Sequence, residues 1–252
     1  MSKNEIEIID EDEELAGDLI EQPTFDLSKL PPDIQAKIKA ASDILKGSTS
    51  IAVNKIRNGH NRYTFPDNSE AQSFVGIIVG IKHANIHYKG QYTKGVVNPA
   101  DCFAVVNGDE DLPNDQLTPH ANVAKPHSKT CKDCEKFKWK SAAVGKGKAC
   151  AEYLLLAVYV PALGTDDLLL LEQKKANARV ADGYIAQLRA KYGHPMVVTT
   201  RFAIGETNEW DQTFQAVGIT NNAIIEKLGN RIDEANLMLT ERALGAYNIE
   251  DG

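Results

Sequence analysis

The most continuous apolar stretch in the first half of the chain runs from Phe74 to Ile81. Its length predicts a buried strand, and Gly76 and Gly80 mark a bulge or a close approach by another element. Asn85–Tyr92 alternates polar and apolar positions and predicts a second strand; Phe103–Val106 predicts a third, before a turn at Asn107-Gly108. Upstream, Ile51–Ile56 predicts a short strand and Asn58-Gly59 a turn, followed by Arg62, Tyr63 and Phe65 and the turn Pro66-Asp67-Asn68. Tyr153–Val160 and Leu168–Glu172 are strands by content and length, and Met196–Ile204 with Thr213–Val217 predicts a hairpin.

Three segments carry helical spacing instead. Pro31 and Pro32 open a helix over 33–46, with Ile34, Ile38, Ala41 and Ile44 on one face and Gly47 ending it. Asn177–Tyr192 places Val180, Tyr184, Ile185 and Leu188 on a stripe stopped by Gly193 and Pro195. Thr220 is placed to cap a final helix, Asn221–Ala243, through Ile225, Leu228, Ile232, Ala235 and Leu239. Its stripe fits either packing on the strands or pairing with a second copy. A helix between the third and fourth strands of a small barrel is the OB arrangement. The expectation is therefore an α+β fold: an OB-fold-like antiparallel β-barrel with a loop insertion and flanking helices.

Residues 107–150 fit none of these periods. They contain three prolines and no apolar stripe, and an ordered loop of that length needs a clasp. Residues 1–28 are too acidic and too poor in aromatics to pack, which predicts a disordered tail. The resulting organisation is a tail (1–28), a binding domain (29–220) carrying the insertion, and a C-terminal helix with a short tail (221–252).

Charge changes this picture through its distribution. The 252 residues carry a net charge of −7, with 42% hydrophobic and 25% charged residues, ordinary for a globular protein. Residues 1–26, however, hold ten acids against Lys3 alone, which leaves +2 for the rest. Between 125 and 148, eight lysines face only Asp133 and Glu135. No apolar run approaches the ~20 residues that a bilayer span requires, so no membrane partner is expected. No secretory pattern opens the chain, and the expected setting is a reducing cytoplasm.

The four cysteines are Cys102, Cys131, Cys134 and Cys150. In a reducing setting they point to metal: Cys131-Lys132-Asp133-Cys134 is a zinc knuckle, and Cys150 returns after a loop of lysine and glycine. Cys102, His127 or His120 supplies the fourth ligand, four cysteines being the commonest closed structural set. Polar neighbours argue against buried inert thiols, and the absence of a βαβ setting argues against a redox pair.

Lys136, Phe137, Lys138, Trp139 and Lys140 alternate cation and ring, which on an extended segment separates the two onto opposite sides. Lysines neutralise phosphates while bases stack on rings, a combination suited to unpaired strands. Lys146 and Lys148 add charge. A second set is Arg57, Arg62, Tyr63, Tyr88, Lys89, Tyr92 and Lys94. The sequence contains no HExxH, no Walker loop and no nucleophile with triad partners, so no enzyme is predicted.

The segments Phe74–Ile81, Asn85, Tyr88, Pro99-Ala100-Asp101-Cys102-Phe103-Ala104, the knuckle with Lys140-Ser141-Ala142, and Gly147-Lys148-Ala149-Cys150 resemble a family of small tailed-phage proteins. These are regarded as single-stranded DNA-binding proteins of replication and recombination. The resemblance covers about residues 50–220. It implies an OB-fold binder of single-stranded DNA with structural zinc on Cys102, Cys131, Cys134 and Cys150, acting beside replication or recombination proteins and open to homo-oligomerisation. Lys140 stands where that family often has glycine, and Ala151-Glu152-Tyr153 where it is more basic. The rival expectation is a regulatory phage protein that binds a host protein through the acidic tail.

Overall fold

The computed structural model describes residues 54–59, 61–90, 100–106, 112–205 and 211–244. The acidic tail, the 33–46 helix, Tyr92, Lys94 and the Asn107-Gly108 turn lie outside the described residues. Among the described residues nine strands form one sheet: β1 (Lys55–Gly59), β2 (Arg62–Thr64), β3 (Glu70–Ala71), β4 (Ser73–Tyr88), β5 (Ala100–Ala104), β6 (Cys150–Tyr159), β7 (Leu168–Lys174), β8 (Val198–Ile204) and β9 (Gln212–Ile219). The described helices are α1 (Lys175–Tyr192), α2 (Asn222–Gly229) and α3 (Ile232–Leu244). Strand order is β3-β2-β1-β7-β6-β4-β8-β9, with β5 also on β4. Pairing is antiparallel except between β1 and β7. The fold is thus α+β, an open, curled sheet forming a half-barrel.

The expected strands 74–81 and 85–92 are one strand through Tyr88. No turn-forming pair separates them, and a register shift between Ile78 and Gly80 absorbs the bend within a continuous ladder. This length gives β4 two roles. Its first part, Ser73–Ile77, pairs with β8, and its last part, Asn85–Tyr88, pairs with β5. The β1–β2 turn falls after Gly59 rather than at Asn58-Gly59, since Gly59 still pairs with Arg62 and Asn61 takes φ +59°.

Helices cover both faces of the sheet. On one, Ala178, Ala181 and Ile185 of α1 pack on Ile78, Ile81, Leu154, Leu156 and Leu169. On the other, Leu228, Ala235 and Leu239 of α2 and α3 meet Ile77, Val79, Leu155, Ala157 and Leu170. Double coverage is why β6 and β7 read as unbroken apolar runs instead of alternating. Gly80 lets α3 approach: a Cβ there would stand 2.9 Å from Cβ of Ala235 and 3.3 Å from Leu239.

The terminal helix is two helices, broken at Asn230-Arg231. Its cap is Asn221, whose side chain accepts from the N–H of Ala223 at 2.8 Å. Thr220 is buried, and its N–H donates to the Val197 carbonyl instead. Among the described residues no helix is long and apolar enough to cross a membrane.

Candidate metal centre and nucleic-acid face

On the last part of β4, His83, Asn85 and His87 alternate with Ala84, Ile86 and Tyr88, so three polar side chains share one face. His87 pairs with Cys102 of β5 on one side and with Cys150 of β6 on the other. Directly opposed residues point to the same face, so the row Cys102–His87–Cys150 forms the floor of a site.

The 112–149 segment lies over this floor, held by hydrogen bonds and by the buried Leu117, Val123 and Phe137. Asn114 donates to the Ala84 carbonyl at 3.0 Å and to Oδ1 of Asn85 at 2.8 Å, and it accepts from Asn85 Nδ2 at 2.6 Å. The N–H of His120 reaches the Phe103 carbonyl, and that of Cys131 reaches Leu117 at 2.9 Å. The knuckle then turns on itself: the Cys134 N–H donates to the Cys131 carbonyl and that of Phe137 to Cys134. Ser141 closes the distal loop, donating to the Lys136 carbonyl and accepting from the Ala149 N–H.

All four cysteines line one small cavity; His87 and His127 line it too, and His120 does not. His120 instead stacks near Phe103, with ring centroids 5.4 Å apart. Burial pushes the Cys102, Cys131 and Cys150 thiols up, and the neighbouring cysteines push in the same direction. Two N–H donors oppose this, the Asn85 side chain toward Cys131 and the His127 backbone toward Cys102.

Two of the four sulfurs have N–H donors, and four thiolates are the donor chemistry that suits a thiophilic cation, whose charge would relieve their mutual repulsion. Their sulfurs are not drawn together. Among the described residues, the group of three or more candidate ligands whose donor atoms all lie within 4.8 Å of one another is His87, Asp101 and His127. The register supplies the reason, since Cys102 and Cys150 stand two strand spacings apart, about 9.6 Å, with His87 between them.

The residues expected to meet nucleic acid divide sharply. Trp139 is 64% exposed, with Lys148 Nζ and the Arg179 guanidinium each 5.9 Å from its ring. Phe137 is buried against Cys134 and Cys150, with Lys148 Nζ 3.7 Å over its ring, so it roofs the knuckle and offers no free face. Tyr63 is fully buried, its hydroxyl donating to Gln212 at 3.1 Å, and burial drives its phenol well above the usual range. It is a core residue and not a stacking platform.

Tyr88 is half-buried and packs on the core. Arg57 and Arg62 are exposed on the β1–β2 hairpin, with β7 and β6 between them and β4, and Arg62 pairs with Glu70. The second set is therefore not one surface. Lys89, Lys138, Lys140 and Lys146 are exposed and Lys136 half-buried. Lys138 pairs with Glu135, and Lys148 pairs with Glu152 at 2.7 Å. Lys140 holds φ +67°, a conformation that favours glycine.

The sequence reading missed His87, Asp101, Asn85 and Arg179. The alternation His83, Asn85, His87 inside an apolar strand was the available signal, since buried polar positions recurring at period two need partners on that face. Arg179 carried none, because its approach to Trp139 depends on how α1 lies on the sheet. No protein-family model, curated protein or solved structure matches the chain.

Proposed function

We propose that this chain is a non-enzymatic, sequence-tolerant single-stranded DNA-binding protein with an OB-fold-like half-barrel, serving phage replication or recombination. The observation that carries the reading is Trp139: a large ring, 64% exposed, flanked by Lys148 and Arg179 on a lysine-rich loop. Every base has a π-face, so a ring with cations beside it accepts unpaired strands with little regard to sequence. Lys132, Lys138, Lys140 and Lys146 are exposed on the same loop and would release counterions on meeting phosphates.

Cys102, Cys131, Cys134 and Cys150 would hold a structural zinc. That ion would supply cross-links between thiolates of β5, β6 and the knuckle. The protein's own contribution is positional: β4 sets the floor, Asn114 ties the loop down, and Phe137 covers the knuckle.

The test is a fluorescence titration of labelled oligonucleotides, unpaired against duplex, across a salt series. Preference for unpaired DNA, affinity falling steeply with salt, and a loss of about 5- to 150-fold in Trp139→Ala are expected, since one stacked base contributes ~1–3 kcal/mol. Equal, feeble binding to both forms, unmoved by Trp139→Ala, would favour a regulatory protein that meets a host partner through its acidic tail.

A further inference from the structure

A second donor set shares the wall of the cysteine cavity. The Asp101 carboxylate receives His127 Nε2 at 2.7 Å and stands 3.4 Å from His87 Nδ1. The two imidazoles meet edge to face, centroids 5.0 Å apart and planes at 87°, so both rings aim a nitrogen at the same carboxylate oxygen. Hydrogen bonding accounts for the His127–Asp101 contact but not for His87. That residue is 8% exposed, and its Nδ1 is a buried nitrogen without a hydrogen-bond partner. Buried polar atoms in native proteins are nearly always satisfied, so the orphan needs an explanation.

We infer that His87, Asp101 and His127 form a binding site for a zinc-type divalent ion, distinct from the cysteine centre. Two imidazoles and one carboxylate are the ligand class of such ions in sites that keep an open position. Donors 2.0–2.1 Å from a tetrahedral ion lie about 3.3 Å apart, and the separations of 3.4 and 2.7 Å to the carboxylate bracket that value.

Lys89 and Lys136 oppose a dication here, which sets the affinity below that of a closed structural site. Asp101 and His127 are partly exposed, giving the ion an entry and a fourth position for water.

The inference stands on the histidines and the carboxylate, and the experiment separates it from the cysteine reading. Full-length protein is loaded with zinc for elemental analysis and titrated with cobalt(II) in parallel. Two ions per chain are expected. His127→Asn and Asp101→Asn, both at partly exposed positions, should each release one; Cys131→Ser with Cys134→Ser should release the other. In the unmutated protein, one cobalt equivalent should show sulfur-to-metal charge transfer and the other only ligand-field bands, a readout that needs no variant to fold. One equivalent per chain, lost only with the cysteines, overturns the inference. One equivalent lost with either set also overturns it, because the histidines would then ligate the cysteine-bound ion. Metal retained in the cysteine variant but lost in His127→Asn sustains this site while removing the cysteine reading.

Discussion

Glu152 stands between the two cations that flank Trp139, its carboxylate 2.7 Å from Lys148 Nζ and 3.8 Å from Arg179. Phosphates arriving at the ring must compete with it. Glu152→Gln should therefore raise affinity for unpaired DNA by about 2- to 5-fold at low salt, the scale of one solvent-screened ion pair, and steepen the salt dependence. Unchanged binding in the same titration would place Lys148 and Arg179 outside the interface. His194 allows a separate test by pH. Its Nδ1 accepts from the Met196 N–H at 3.1 Å, a cap that only an unprotonated nitrogen can make. Burial, helped by Arg189, holds its pKa below the ordinary value of about 6.5. The unfolded chain thus binds the proton more readily. The contribution is complete above about pH 6.5 and is lost as pH falls through the lower folded-state value. Thermal melts between pH 7.5 and roughly 5 should show a loss that His194→Asn, which can cap without titrating, lacks.

At the scale of elements, β4 decides most of the architecture. It serves β6 along most of its length, β8 at its start and β5 at its end, and α3 crosses it at Gly80. Gly80→Ala would force a methyl against Ala235, where neither backbone gives easily. A loss of about 1–3 kcal/mol in urea unfolding is expected, with little change at the Trp139 surface. Much at this scale was readable from the chain. The β8–β9 hairpin, α1 with its glycine stop, and strands β6 and β7 appear close to their expected bounds because period and length specified them. β4 was split because Lys82 and His83 read as an interruption although both are buried within the strand, and α2 was merged with α3 because a two-residue break leaves the apolar stripe consistent. Of the candidate site, the four cysteines line one cavity, but their sulfurs are not drawn together. Tyr63 and Phe137 do not serve as expected, since a ring reads alike whether it faces solvent or core.

For the whole molecule, charge is partitioned between the ten acids of residues 1–26 and the eight-lysine segment. Opposite fields of that size attract at low ionic strength and fade beyond a Debye length of about 8 Å at physiological salt. Removing residues 1–26 should raise affinity for unpaired DNA at low salt, and the gain should shrink as salt rises; the same oligonucleotide titration reads it. No change would exclude the tail as a competitor for the lysine surface.

Composition and periodicity were enough to settle the α+β class, most element types and the charge partition, because each depends on local spacing or simple counting. They did not reach the row in which His87 separates Cys102 from Cys150, the meeting of Asp101 with two histidines, or Arg179 beside Trp139. Those depend on strand register and on how α1 lies across the sheet, and contacts between residues tens of positions apart leave no trace in neighbouring letters.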